Sequence, residues 1–255
     1  VVFPFEKEFY DKEGVACEFV GHPLLDTLPA RKNYRSGDEI RNGPRIAILP
    51  GSRKSEIRYH AELLVSVIDK LKTRYPSAEI QIPLANTLER SKVEQAFESA
   101  KVTFTTDSRA SIEWADLALV ASGTATLETA LIGTPFLLYY RVSRSSAWIF
   151  KHLVRYRGLI GMPNLLLRRE VAKEFFQERA TVQTLVAEAT ELIENDSYRE
   201  NMADSLRGCR DGLGTEGASR RAAYFVHQLL PKTPAAPIYE APPTILGLDH
   251  VTVPT

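Results

Sequence analysis

Two short stretches carry the residue types and spacing that could do chemistry. In the first, Leu49-Pro50-Gly51-Ser52-Arg53 follows an apolar run at 46–49 and precedes a helical pattern beginning near Ser55. That order sets backbone N–H groups, a hydroxyl and a guanidinium at the carboxyl end of a strand. The positive end of the following helix and its unpaired donors suit such a corner to a diphosphate. In the second, Val120-Ala121-Ser122-Gly123-Thr124-Ala125-Thr126-Leu127-Glu128 repeats the strand–turn–helix plan. Two anion-ready corners in one alternating pattern point to a nucleotide site.

Each candidate also has a plainer explanation. Arg53 could be a solvated side chain whose charge opposes the helix dipole by roughly a few tenths of a kcal/mol, an unfavourable term that a bound anion would remove. Ser122 or Thr124 could be an ordinary N-cap, with Gly123 allowing close backbone approach in either case. Glu128 lies one turn beyond Thr124 on the same helix face. Repelled by a diphosphate, it would reach ribose hydroxyls, as acids do in dinucleotide sites, or else remain a surface glutamate. Asn164, after Pro163, reads as a turn residue. His22 sits in a Gly-His-Pro turn, either structural or orienting a ligand, and His60 reads as helix surface.

The elements that must position these residues alternate regularly. Strands are expected at 46–49, 80–84, 102–105, 117–120 and 136–140, separated by helices. One helix carries Ile57, Ala61, Leu64, Val65, Ile68 and Leu71 at three- and four-residue spacing. Strands linked by helices imply right-handed crossovers and a parallel sheet, with ligands beyond the strands' carboxyl ends. The fold class is therefore α/β, a Rossmann-like doubly wound parallel sheet followed by C-terminal helices. Residues 1–29 read as a strand, a turn at Gly14 and a second strand at 17–20, the tail of an upstream domain. Residues 30–44 read as a polar linker, 45–230 as the nucleotide-binding domain with three terminal helices capped at Thr181 and Ser197, and 231–255 as a disordered Pro-rich tail. The apolar opening, without an initiator Met or cleavage site, suggests that further chain precedes Val1.

Composition narrows the function. Lys and Arg number 32 against 32 Asp and Glu, so no global field favours nucleic acid as a partner. No apolar run approaches the ~20 residues that span a bilayer. Cys17 and Cys209 are the only cysteines, too few for a disulfide framework or a zinc site, and a reducing compartment is the simplest reading. No metal-ligand spacing and no Asp-x-Asp pair is present, so neither a metal nor another cofactor is expected. A basic and aromatic stretch at 141–157, with Trp148, Phe150 and Arg155, matches either an interfacial helix drawn to anionic lipid or a helix packed on the sheet with snorkelling cations.

Leu49-Pro50-Gly51-Ser52-Arg53, the Ser122-to-Glu128 motif and Met162-Pro163-Asn164-Leu165-Leu166 resemble, in order and spacing, the lipid-A-disaccharide synthase family. Phe3-Pro4-Phe5-Glu6-Lys7 and Phe19-Val20-Gly21-His22-Pro23 add to the likeness, which runs to about residue 230. The resemblance implies a GT-B-type, metal-independent glycosyltransferase. It would move 2,3-diacylglucosamine from its UDP donor to 2,3-diacylglucosamine 1-phosphate, cytoplasmic and peripheral on the anionic inner membrane, with a homodimer as the expected assembly. By motif position, Gly51, Ser52, Arg53, Ser122, Gly123 and Thr124 would frame the diphosphate. Glu128 and Asn164 would hold the nucleotide or the active-site geometry. The general base is expected in an N-terminal domain almost wholly outside this sequence, so the chain alone is expected to be inactive. Another UDP-sugar enzyme of the same architecture, or a non-catalytic nucleotide- or membrane-binding fragment, are the competing readings.

Overall fold

The computed structural model describes residues 1–28, 34–142 and 158–230. Trp148, Phe150 and Arg155, and the tail from 231, lie outside the described residues. Six strands form one parallel sheet: β1 (Arg45–Leu49), β2 (Glu79–Pro83), β3 (Thr103–Thr105), β4 (Leu117–Ala121), β5 (Phe136–Tyr140) and β6 (Glu174–Phe176). Their order across the sheet is β3-β2-β1-β4-β5-β6. The chain builds outward from β1 to β3, then returns to lay β4 against β1, and the two neighbours diverge from there. That reversal opens a crevice at the carboxyl ends of β1 and β4, where doubly wound folds bind ligands.

The central strands are continuous apolar runs because helices cover both sheet faces. Ile46, Ala47, Ile48, Leu117, Leu119 and Val120 are fully buried. Helix α3 (Lys54–Arg74) turns Ile57, Ala61, Leu64, Ile68 and Leu71 into the core, and packs on α4 (Arg90–Ala96). Helices α5 (Ser108–Trp114) and α6 (Thr124–Ile132) pack together, and α6 also meets α7 (Met162–Leu167). Among the terminal helices, α8 (Val182–Glu194) lies on β4, β5 and α3. Helix α9 (Asp196–Gly212) bridges α6, α7 and α8, and α10 (Ala218–Leu229) docks on the turn at Pro23–Asp26.

Several expectations give way here. The opening residues form a helix, α1 (Pro4–Lys12), not a strand. Proline at the first helical position and a Glu6 carboxylate accepting from the N–H groups of Val2 and Phe3 are a helix start that outweighs the apolar run. Residues 17–20 form no strand, and only two backbone bonds join them to Val1. The linker contains a helix, α2 (Gly37–Asn42), capped by Ser36 and anchored by buried Ile40. Arg35 ties it to the sheet through Asp116 at 2.7 Å. Phe3, Leu25 and Leu28 belong to the same core as the sheet. Asn195, not Ser197, caps α9, while Thr181 caps α8 as expected.

Candidate functional site

Because β1 and β4 pair directly, with Leu49 opposite Val120, the turns that follow them stand side by side. Both line one cleft of about 420 Å³, together with Asn86 and Thr106 from the loops after β2 and β3. Gly51, Ser52, Arg53, Ser122, Gly123, Thr124 and Glu128 all border it. Asn164 does not.

The first turn is already organised by a carboxylate. Glu56, in the first turn of α3, accepts from the backbone N–H groups of Ser52 (2.8 Å) and Arg53 (3.2 Å) through Oε2. Its other oxygen lies 3.6 Å from the Arg53 guanidinium. The free N–H groups expected at this corner are therefore satisfied internally. The physical reason is the Arg53-x-x-Glu56 spacing, in which an acid at the third helical position reaches back over the helix start. What the corner still presents is Arg53, whose side chain is 75% exposed. Gly51 has φ +112°, and a Cβ there would fall 2.3 Å from Glu56 Oε2, so only glycine fits under the carboxylate.

The second turn differs. Gly123, with φ +150°, precedes α6 without offering a side-chain acceptor. Among the described residues the N–H groups of Thr124 and Ala125 have no hydrogen-bond partner, while Thr126 Oγ1 caps inward onto the Gly123 carbonyl at 2.7 Å. Exposed donors at a helix start and the Arg53 guanidinium border one cleft, with the Glu56 and Glu128 carboxylates also in its lining. Glu128, half-buried on the wall, has its carboxyl pushed up by burial, with Arg109 pulling it back.

Two residues beneath the cleft fix both turns. Tyr139 donates through its hydroxyl to the Leu49 carbonyl (3.1 Å), and its own carbonyl accepts from Ser122 N–H (3.1 Å). His60 is fully buried, contrary to its surface reading. Nδ1 donates to the Pro50 carbonyl at 2.7 Å and Nε2 accepts from Arg141 N–H at 3.0 Å, which fixes one neutral tautomer. Burial pushes its pKa down. Its spacing with Ile57, Ala61 and Leu64 places it on the apolar stripe, the signal that could have revealed it.

Asn164 lies in α7 and is 1% exposed, so it is a helix residue and not the turn residue its place after Pro163 suggests. Its Oδ1 accepts from Val171 and Ala172 N–H, and its Nδ2 donates to the Ala172 carbonyl and to Glu174. Glu174 also accepts from Ile160 and Gly161 N–H. With every amide valence used inside the protein, Asn164 holds the α7–β6 junction. Neither Glu174 nor β6 is signalled by the sequence, because three residues are too short for a period.

Among the described residues, no group of three His, Cys, Asp or Glu could hold a metal ion, and no helix is long and apolar enough to cross a membrane.

The family model described as lipid-A-disaccharide synthetase matches residues 1–228. The chain belongs to that family. A relative from Koribacter versatilis, named lipid-A-disaccharide synthase, is 36% identical over 239 residues, covering 89% of this chain and 61% of its own. The Vibrio cholerae protein of the same name is 37% identical over 240 residues, covering 90% and 62%. The chain thus spans about three-fifths of these family members. Among solved structures, the UDP-GlcNAc 2-epimerase from Neisseria meningitidis bound to UDP-GlcNAc superposes with a TM-score of 0.57 at 15% identity, over 89% of this chain and 60% of that one. The S. aureus MnaA–UDP co-structure gives 0.57 at 15%, over 90% and 59%. These likenesses show the GT-B-type Rossmann-like fold.

Proposed function

We propose that this chain is the donor-binding part of a glycosyltransferase of lipid A biosynthesis. The reaction would transfer 2,3-diacylglucosamine from UDP to the 6-hydroxyl of 2,3-diacylglucosamine 1-phosphate and release UDP. The observation that carries the reading is the meeting of Arg53 and the uncapped Ser122-Gly123-Thr124 turn across one cleft at the β1/β4 crevice. Charge accumulates on the departing diphosphate, and preorganised donors together with a guanidinium favour it without reorganisation. Glu128 would accept from the ribose hydroxyls. Asn86 and Thr106, from the loops after β2 and β3, would suit the nucleoside. No step calls for a metal, because protein groups supply the neutralising charge.

Residues 45–230 would hold the donor, while the acceptor site and general base would come from residues outside this chain. The reading carries with it a peripheral position at the cytoplasmic face of the inner membrane, contact through Trp148, Phe150 and Arg155, and association as a homodimer. Family membership favours this reading over the related epimerase chemistry.

The test compares UDP-2,3-diacylglucosamine with unacylated UDP-glucosamine as donors, using the chain alone and the chain supplemented with the N-terminal portion of a family member. Transfer from the acylated donor in the supplemented sample only is the expected result. Equal use of the unacylated donor, or epimerisation of UDP-GlcNAc, would transfer the assignment to another UDP-sugar enzyme.

A further inference from the structure

The Ser122-Gly123-Thr124 turn separates the cleft from a second cavity of about 350 Å³ on its other side. Phe3, Leu127, Ile160 and Met162 make that cavity largely apolar, and among the described residues His22 supplies its one imidazole. The tautomer of His22 is fixed by geometry. Nδ1 accepts from the Leu24 N–H at 3.2 Å, so in the neutral ring the proton resides on Nε2. Nε2 makes no hydrogen bond among the described residues. The Phe3 ring packs on the imidazole at 5.1 Å with a 46° tilt, holding it in place. Burial lowers the pKa of the ring and the nearby Glu6 opposes that shift, so the neutral donor form is favoured.

A wall of this kind offers hydrophobic area and one directed N–H. Among the described residues its lining carries no cation, which suits a sugar's carbon face and a hydroxyl or ring oxygen better than a further phosphate. A diphosphate held on the dividing turn, with its nucleoside toward Asn86 and Thr106, must extend its other substituent past the turn.

We propose that this second cavity receives the sugar esterified to the distal phosphate, and that His22 Nε2–H donates a hydrogen bond to an oxygen of that sugar. The assignment rests on the nucleotide reading of the first cleft. Asn164 and Glu174 support the cavity indirectly, since Glu174 accepts from the Ile160 and Gly161 N–H groups and so holds the segment whose Ile160 and Met162 line it.

The test is the ratio of affinities for UDP-glucosamine and UDP, measured by calorimetry on the 255-residue chain. His22→Phe keeps the aromatic contact with Phe3 and removes both ring nitrogens, and His22→Gln restores an N–H near the Nε2 position. The sugar-dependent gain in affinity should fall about 3- to 10-fold in His22→Phe, the scale of one neutral hydrogen bond. It should recover in part in His22→Gln, with UDP affinity alone unchanged in both. An unchanged ratio in His22→Phe overturns the assignment while leaving the nucleotide site standing. Failure of the unsubstituted chain to bind UDP overturns both. Should His22→Phe not fold, imidazole nitrogen resonances of the unsubstituted protein decide: the His22 Nε2 signal should move with UDP-glucosamine and not with UDP. The same shift with both ligands contradicts the proposal.

Discussion

Gly51→Ala tests how the first turn is held together. Three contributions can be worked from the structure. The residue has φ +112°, a conformation that disfavours any side chain by about 1–3 kcal/mol. The new methyl would lie 2.3 Å from Glu56 Oε2 and 2.7 Å from its Cβ, an overlap worth roughly another 1–3 kcal/mol. Relieving it pushes the carboxylate off the Ser52 and Arg53 N–H groups, and charge-assisted bonds of this kind contribute about 1.5–3 kcal/mol each. The contributions overlap, so a net destabilisation of about 3 kcal/mol is the reasoned minimum. At about 2–4 °C per kcal/mol for a domain of this size, the melting temperature should fall by about 6–12 °C. Gly123→Ala is the control. Its φ is +150°, but nothing lies within 4 Å of the new methyl, so only the backbone contribution of about 1–3 kcal/mol applies. Thermal unfolding followed by far-ultraviolet circular dichroism measures both. Equal shifts in the two variants, or a Gly51→Ala chain that melts like the parent, would refute the role given to Glu56.

Three other perturbations follow from the same contacts. Asn164→Ala removes four buried hydrogen bonds and should destabilise the fold by about 2–4 kcal/mol in urea titration while leaving UDP affinity unaltered; a selective loss of UDP binding would return Asn164 to the ligand site. His60 is held neutral with its pKa below the ordinary 6.5, so its contribution is intact above that pH and is lost as pH falls through the lowered value. Between pH 7.5 and 5.5 the parent should therefore lose urea stability more steeply than His60→Gln, and parallel profiles would contradict the buried neutral tautomer. Glu128→Ala should erase any preference for UDP over 2′-deoxy-UDP, by about 3- to 10-fold if the carboxylate meets the ribose; a preference that survives would place the ribose elsewhere.

The central sheet was legible because buried parallel strands are continuous apolar runs, and the strands expected near 46, 80, 102, 117 and 136 match β1 to β5 within one or two residues. The two turns were legible as strand-to-helix exits because Gly and Ser stand between an apolar run and a helical period in both. What escaped was tertiary. Nothing local in Glu174-Phe175-Phe176 marks an edge strand, since its pairing with β5 supplies the order. The opening segment was misread because an apolar start suggested a strand, although Pro4 and Glu6 encode a helix N-terminus. The Arg53-x-x-Glu56 spacing carries the signal for Glu56 as an organiser, whose partners are the backbone N–H groups of Ser52 and Arg53. The inward turn of the Asn164 amide is likewise tertiary, since its partners at Val171, Ala172 and Glu174 lie across the α7–β6 junction.

The most direct measurement is a calorimetric titration of UDP into this chain, repeated with EDTA and with Arg53→Ala. Binding that is indifferent to EDTA and about 10-fold weaker in Arg53→Ala is the predicted result, the lower range for a charge-assisted contact because the guanidinium is largely solvated. No heat with UDP, or affinity that depends on added magnesium and ignores Arg53, would contradict the account.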